Sequence, residues 1–271
     1  MSYSIPSLRS FITPITIASA GATASTLLLH FDGTDGATST TDSSLNTVAI
    51  TFNKTGTSTS FPALRTGTKK FNTASLSNIS GAGGDGPGYI SFPNSSLFNL
   101  ASQDWTIDFW WYPTITLPSA TSASSRCTIL SNNYTDSTLT YGLVLFNASF
   151  YTGGSDLGLS ISSDGSTNTI TNATIGTNAF ATANTWYHVA IERYGSNING
   201  YVNGTYTNVS STFTGSIYYN AAAPWAFSNG SRGAYNSANQ ISSYCDELRI
   251  VNGTALYRGS SFTPPSSPYT S

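Results

Sequence analysis

A shortage of glutamate and lysine is the feature of this sequence that most restricts its fold. The 271 residues include only two glutamates and three lysines, and charged residues make up 8% of the chain. The exposed faces of helices are normally built from glutamate, lysine, glutamine and arginine. Helical bundles and coiled coils are therefore excluded, and we expect no helix of normal length.

The remaining composition favours an all-β protein. Aromatic residues account for 13% of the chain and hydrophobic residues for 39%, which can bury a core and argues against a disordered, hydroxyl-rich stalk. Short runs of β-branched and aromatic residues alternate with glycine, asparagine, aspartate and serine, as in a β-sandwich. The predicted strands are Thr26–Phe31, Val48–Phe52, Tyr89–Phe92, Trp105–Tyr112, Thr140–Phe146, Leu157–Ser162, Trp186–Tyr194, Ile198–Val202, Phe213–Tyr219 and Cys245–Val251.

Turn residues and the N-terminal composition suggest how the chain is divided. Asn203-Gly204 and Asp164-Gly165 predict two hairpins, because both dipeptides accept the positive φ angles of tight turns. We expect an extended N-terminal arm over residues 1–25 and one domain over residues 26–271. The arm partly imitates a secretion signal, but Pro14 interrupts its apolar run. The arm either docks on a neighbouring subunit or packs along its own domain, and both remain open.

Charge, hydropathy and cysteine content bear on partners and compartment. The net charge of −2 and the lack of a basic tract argue against a nucleic-acid partner. No apolar stretch of about 18 residues is available to span a membrane. Cys127 and Cys245 could form one disulfide or remain free, and a buried free cysteine is the more common case.

Residue alternation predicts which strand faces are buried. In Trp105–Tyr112 one side is wholly apolar and should face the core, as should the inner side of Trp186–Tyr194. These inner sets are Trp105, Ile107, Phe109 and Trp111, and Tyr187, Val189 and Ile191. The opposite sides carry aromatic residues plus one carboxylate each, Asp108 and Glu192. We expect them to lie on the outer face of a sheet.

Three blocks of the sequence resemble the laminin-G-like, concanavalin A-like jelly-roll family. They are Tyr89–Pro113, Trp186–Gly204 and Cys245–Tyr269, and with LLLHFDGTDG and FNTASLS the match covers roughly residues 26–271 in order. The resemblance implies an antiparallel jelly-roll sandwich of two stacked sheets. The sequence is also similar in style to bacteriophage structural proteins whose jelly-roll domains decorate capsids or tails. Since this fold hosts lectins, hydrolases, receptors and virion parts, it does not by itself assign a function.

The comparison with related jelly-roll glucanases argues against catalysis. Those enzymes use clustered carboxylates on one strand, because retaining cleavage needs an acid and a nucleophile close together. Here the two glutamates, Glu192 and Glu247, lie on different predicted strands. No serine stands out as a nucleophile elbow, and the resemblance makes His188 a routine residue of its strand. We therefore expect no enzymatic activity and no catalytic residue.

Glycan binding is an alternative chemistry for the outer face. Sugars are held by aromatic faces together with a few amide or carboxylate groups. The candidate carbohydrate-binding residues are Asp108, Trp110, Tyr112, Trp186, Glu192 and Trp225. Trp110 and Trp186 also belong to the scaffold pattern of the family, so the other interpretation is that they pack inside the domain.

A structural calcium ion is the only cofactor that the sequence suggests. Alternation places Asp246 on the same side as Leu248 and Ile250, where an unpaired carboxylate is costly. It could bind Ca²⁺ together with Asp32, since hard oxygen ligands suit this ion. Alternatively, Asp246 caps backbone amides and Asp32 forms a turn. Both interpretations remain open.

These observations favour a non-catalytic structural protein of a bacteriophage particle. We expect a capsid decoration or cement protein that docks on the major capsid protein and forms a homo-oligomer, most simply a trimer. The absence of catalytic residues, the arm and the weakly charged surface motivate this prediction. The alternative is a lectin-like adhesin, on a tail fibre or secreted, that recognises surface glycans. The predicted location is accordingly the virion or, in the alternative, the extracellular space.

Overall fold

The structure is a computed structural model, and it describes residues 24–54, 61–78, 88–114, 127–132, 142–147, 156–227 and 242–271. The strands are β1 (Leu27–Leu29), β2 (Thr51–Asn53), β3 (Ala63–Arg65), β4 (Ser75–Ser77), β5 (Tyr89–Phe92), β6 (Trp105–Pro113), β7 (Cys127–Asn132), β8 (Leu143–Asn147), β9 (Leu157–Ser162), β10 (Asn168–Gly176), β11 (Tyr187–Tyr194), β12 (Asn197–Val202), β13 (Thr205–Ser210), β14 (Trp225–Phe227) and β15 (Ser243–Asn252). A 3-10 turn spans Ser96–Phe98. Across these described ranges, no helix has the length and apolar character needed to cross a membrane.

The strands form two antiparallel sheets, which confirms the predicted all-β jelly-roll sandwich. The first sheet has the order β13-β12-β11-β6-β15-β4-β3, and β1 also pairs with β15. The second sheet has the order β10-β9-β8-β7-β14-β5-β2. Strands distant in sequence are neighbours in space: β6 lies between β11 and β15. The predicted arm over residues 1–25 falls almost wholly on residues 1–23, which lie outside the described residues.

The core lies between the two sheets, as the alternation predicts. The expected inner residues all belong to the buried apolar cluster: Trp105, Ile107, Phe109, Trp111, Tyr187, Val189 and Ile191. Phe109 of β6 meets Phe227 of β14 across the interface, with ring centroids 5.1 Å apart and planes at 84°. Burying a side chain such as phenylalanine contributes roughly 1.5–3 kcal/mol. The aromatic residues of these strands therefore hold the sheets together.

The two predicted hairpins differ in their turns. Asn203 and Gly204 join β12 to β13 directly, with φ angles of 50° and 76°. Asp164 and Gly165 lie in the longer connection of residues 163–167 between β9 and β10. There Asp164 Oδ1 accepts hydrogen bonds from the amides of Ser166 and Thr167, each at 2.8 Å. These side-chain bonds hold the longer loop that the dipeptide alone did not specify.

The prediction of a strand over Phe213–Tyr219 is wrong. Its amides donate to three separate segments: Phe213 to Ser196 O and Ile217 to Ala101 O, both at 2.9 Å, and Tyr218 to Ser162 O at 2.9 Å. A strand directs such bonds in a regular ladder to at most two neighbouring strands, whereas these bonds reach three unrelated segments. The β-forming composition instead reflects burial, because Phe213 and Ile217 pack into the core cluster.

Candidate functional site

The outer face of the first sheet is largely covered by the C-terminal segment, residues 253–271. The rings of Tyr257 and Phe262 stack on each other with centroids 3.7 Å apart. Phe262 also lies 5.4 Å from His188 of β11, and its amide donates to Gly204 O at 2.9 Å. Tyr269, near the end of the segment, is 6% exposed. Most polar residues of the predicted outer face are therefore inside the protein.

Asp108 is a buried partner of this covering segment. Its carboxylate accepts hydrogen bonds from Arg249 Nε at 2.9 Å, from Arg249 Nη2 at 2.6 Å and from the Tyr257 hydroxyl. Burial alone would lower the pKa of Arg249, but the Asp108 carboxylate outweighs it and holds that pKa above its ordinary value. The Asp108 side chain is 0% exposed. Asp108 thus joins β6, β15 and the C-terminal segment, and it offers no surface to a ligand in this conformation.

Glu192 has an equivalent structural environment on β11. It accepts hydrogen bonds from the Tyr201 hydroxyl at 2.5 Å, from Asn199 Nδ2 at 3.2 Å and from the amide of Gly259 at 2.8 Å through Oε1. Its Oε2 accepts from the amide of Tyr257 at 2.9 Å. Burial and the bond to Glu192 raise the pKa of the Tyr201 hydroxyl. Glu192 therefore anchors the C-terminal segment where that segment crosses the sheet.

A β-bulge in β15 places Asp246 on the opposite face from the one that alternation predicts. Asp246 pairs with Trp110 and Arg249 pairs with Asp108, so two residues of β15 face the single Phe109 between them. The bulge contains Glu247, whose φ is 56°. The pairing gives Asp246 the face of Trp110. The prediction that it shares the side of Leu248 and Ile250 is wrong, because strict alternation stops at the inserted residue.

Asp246 and Asp32, the two residues of the predicted calcium site, both bind groups of the protein itself. Asp246 Oδ2 accepts the amides of Lys70 and Phe71 at 2.8 and 3.0 Å, while its buried Oδ1 has no partner among the described residues. Burial raises the pKa of Asp246 to about 8. Asp32 is bound by Thr73 and Asn72. Across the described ranges, no cluster of three or more acidic, histidine or cysteine residues could hold a metal ion.

The neighbouring glutamate, Glu247, is bound within the protein too. Both of its carboxylate oxygens lie 2.9 Å from His30 Nδ1, and Oε2 also accepts the amide of Tyr269 at 2.9 Å. The hydrogen bond to Glu247 raises the pKa of His30. Cys245, on the same strand, is a free thiol that is 2% exposed. The Cys127 side chain lies outside the described residues.

Two of the predicted glycan-binding tryptophans are interior. Trp225 is 0% exposed, stacks against Phe92 with planes at 6°, and donates from Nε1 to Asn94 Oδ1 at 3.0 Å. Trp110 is 5% exposed, and Lys70 Nζ lies 3.8 Å above its ring. Trp225 therefore belongs to the core, whereas Trp110 forms the floor beneath Lys70.

Tyr112 and Trp186 remain partly exposed, and they meet a third aromatic residue, Tyr244. Tyr244 pairs with Tyr112 across β15 and β6. Trp186 directly precedes Tyr187, whose partner is Trp111, so it lies beside Tyr112. The Tyr112 ring centroid is 5.2 Å from that of Trp186 and 5.7 Å from that of Tyr244. We call Tyr112, Trp186 and Tyr244 the aromatic ledge.

The aromatic ledge contains the two predicted glycan-binding residues that are partly exposed, Tyr112 and Trp186, and one residue that was not predicted. Tyr244 was not predicted as a site residue, and neither was Lys70, which lies over Trp110 next to the aromatic ledge. Tyr244 lies just before the CDELRI segment, and only its register against Tyr112 brings it to the site. From this edge the chain continues into residues 115–126 and returns from residues 228–241, which lie outside the described residues.

Comparison with protein families identifies the chain as a member of a large β-sandwich superfamily. The sequence profile of Laminin_G_3, described as the concanavalin A-like lectin/glucanases superfamily, matches residues 84–256. This range is more than half of the chain, so the protein belongs to this family. The resemblance drawn from the three sequence blocks is thereby confirmed. No curated protein sequence matches the chain.

Solved structures with the same fold include toxin and enzyme domains. The binding domain of Paraclostridial Mosquitocidal Protein 1 matches with a TM-score of 0.58 and 16% identity, over 86% of this chain and 49% of that one. The binding domain of Botulinum Neurotoxin DC in complex with SialylT gives 0.58 and 13%, over 86% and 48%. Domain 4 of AbnA, a GH43 extracellular arabinanase from Geobacillus stearothermophilus, in complex with arabinotriose, gives 0.55 and 18%, over 85% and 93%. This chain thus spans about half the length of the toxin domains, and at these identities the likeness concerns the fold.

Proposed function

We propose that this protein is a non-catalytic glycan-binding domain and that the aromatic ledge is its binding site. The observation that carries the proposal is the position of Tyr112, Trp186 and Tyr244 as adjoining, partly exposed aromatic rings on one sheet face. Aromatic faces bind the apolar faces of sugar rings, and nearby polar groups bind the hydroxyls. Exposed asparagine and threonine side chains, Asn184 and Thr185, directly precede Trp186 and supply such groups.

The fold comparisons support a binding role. The family description names lectins, and two structures that share the fold are complexes with SialylT and with arabinotriose. Another similar structure concerns entry of botulinum neurotoxin type C through two ganglioside molecules. These ligands belong to those proteins, and their sugars are not assigned to this one. Their shared feature is that a sandwich of this type can present a carbohydrate site.

The positions of the carboxylates support the non-catalytic part of the proposal. A glycosidase needs one carboxyl group free to donate a proton and a second free to attack or to activate water. Asp108 is held by Arg249 and Tyr257 in the interior, and Glu192 is held by backbone amides and Tyr201. Catalysis by either group would first require these bonds to break.

The particle-decoration prediction has less support than the glycan-binding alternative. Neither the family profile nor the similar structures point to a capsid or a major capsid protein as partner. The virion location and the trimer therefore stay predictions from the sequence. An extracellular location accords better with the proposed function, because surface glycans are met there.

A substitution at the edge of the aromatic ledge tests the proposed function. We expect Trp186→Ala to abolish binding on a glycan array and in calorimetry, because it removes the largest ring of the site. Tyr194→Ala is the matched control, since Tyr194 is an aromatic residue at the other end of β11 and is 43% exposed. Both variants should keep the unfolding midpoint close to that of the wild type. Equal glycan binding by the Trp186 variant and the wild type would refute the assignment of the site.

A further inference from the structure

The rings of the aromatic ledge meet at steep angles. The planes of Tyr112 and Trp186 differ by 55°, and those of Tyr112 and Tyr244 differ by 81°. Neither neighbouring ring is parallel to the ring of Tyr112, so the three aromatic faces do not lie in one plane. The aromatic ledge is therefore a corner with Tyr112 in the middle, and not a flat strip along the sheet.

The shape of this corner limits how much of a glycan can stack on it. A run of consecutive sugar rings needs several aromatic faces in one plane, since each ring must lie flat against a face. In a corner, one sugar unit can lie against one face while the other aromatic rings border it. On the basis of the glycan-binding function proposed above, we propose that the aromatic ledge recognises a single sugar unit at a chain end or branch, and not an internal stretch of a linear polysaccharide.

Polar residues flank the corner on both sides of Tyr112. The amide of Asn184 donates to Pro113 O at 2.8 Å, which fixes the loop that precedes Trp186 next to the end of β6. Lys70 Nζ lies over Trp110, which is two residues before Tyr112 on the same face of β6. Lys70 and the Asn184 loop thus lie on either side of Tyr112 along β6, and polar groups beside an aromatic face are what gives a small binding site its specificity.

Chain length is the variable that separates a corner from a flat strip. The test measures binding of disaccharides and hexasaccharides from gluco-, manno-, galacto- and arabino-oligosaccharide series to the full chain by calorimetry. In any series that binds, a corner predicts that the disaccharide and the hexasaccharide have the same dissociation constant to within about twofold. A flat strip gains contacts with length and should tighten by about tenfold or more, equivalent to about 1.4 kcal/mol.

Variants make the test independent of the sugar series. Tyr244→Ala removes one wall of the corner and should weaken the disaccharide and the hexasaccharide by the same factor, while Tyr194→Ala should weaken neither. The wild type could bind the hexasaccharide more tightly than the disaccharide, and Tyr244→Ala could lower the hexasaccharide affinity to that of the disaccharide. This result would overturn recognition of a single unit, but it would still support the aromatic ledge as the glycan site. Lack of binding by every oligosaccharide, in the presence of a folded protein, would overturn the proposed function and this inference together.

Discussion

Asp108 provides the clearest test of whether the buried carboxylate of β6 is structural. Asp108→Asn keeps the size of the side chain but removes the charge that balances Arg249. The Arg249 guanidinium has a side-chain exposure of 15%, so solvent cannot fully replace the lost carboxylate. The Tyr257 hydroxyl, which holds the C-terminal segment, loses its charged acceptor as well.

The expected size of the effect follows from burial. Removing one partner of a buried, hydrogen-bonded ion pair costs about 3–5 kcal/mol, because the other charge stays buried without compensation. Arg65 and Asp35 provide a matched pair at the surface, with an Nη1–Oδ2 distance of 3.3 Å and side-chain exposures of 46% and 57%. An exposed pair of this kind contributes only about 0–1 kcal/mol. Asp35→Asn should therefore change the free energy of unfolding far less than Asp108→Asn.

Guanidinium denaturation followed by tryptophan fluorescence measures both variants on the same scale. We expect a clearly lower denaturation midpoint for Asp108→Asn and an almost unchanged midpoint for Asp35→Asn. Glycan affinity of the folded Asp108 variant should match that of the wild type, since the carboxylate does not reach the aromatic ledge. Equal midpoints for the two variants would refute the structural role of Asp108, and a stable Asp108 variant without glycan affinity would restore it as a binding residue.

Three further substitutions test other features of the fold by the same denaturation assay. Gly204→Ala should destabilise the protein strongly, because the new Cβ would lie 1.9 Å from Phe262 O at a φ of 76°. Gly195→Ala, with nothing within 4 Å at a φ of 61°, should cost only about 1–2 kcal/mol, the strain of a left-handed backbone. Equal losses for the two variants would contradict this. Trp225→Ala should cost about 3–5 kcal/mol as a core truncation, and a smaller loss would place the ring outside the core. Burial lowers the pKa of His188 from 6.5 to about 4, so the unfolded chain binds more protons between these pH values and stability falls on acidification. His188→Phe should flatten that part of the pH profile, and an unchanged slope would assign it to other groups.

The sequence predicts which residues share the sheet face of the candidate site, but it does not predict which of them are exposed to solvent. Alternation along Trp105–Tyr112 assigns Asp108, Trp110 and Tyr112 to one face, and the structure has Asp108 and Trp110 beneath protein while Tyr112 is partly exposed. Residues 253–271 cover Asp108 and Lys70 covers Trp110, and both covers are distant along the chain. Tyr244 joins the aromatic ledge through pairing with Tyr112. Neither contact follows from local sequence, because both depend on which strands become neighbours.

Local chemistry by itself determined the class of fold and the buried faces of the strands. The shortage of glutamate and lysine and the period of two in apolar residues are local features of each segment. They predict its structure without knowledge of which segments become neighbours. Only the tertiary structure determined which carboxylates are buried and which sheet face they lie on. The bulge at Glu247 turned Asp246 to the other face, and the C-terminal segment enclosed Asp108 and Glu192. Burial and ion pairing depend on which residues are neighbours in three dimensions. An acidic residue that the sequence places on the face of a binding site can therefore have a structural role instead.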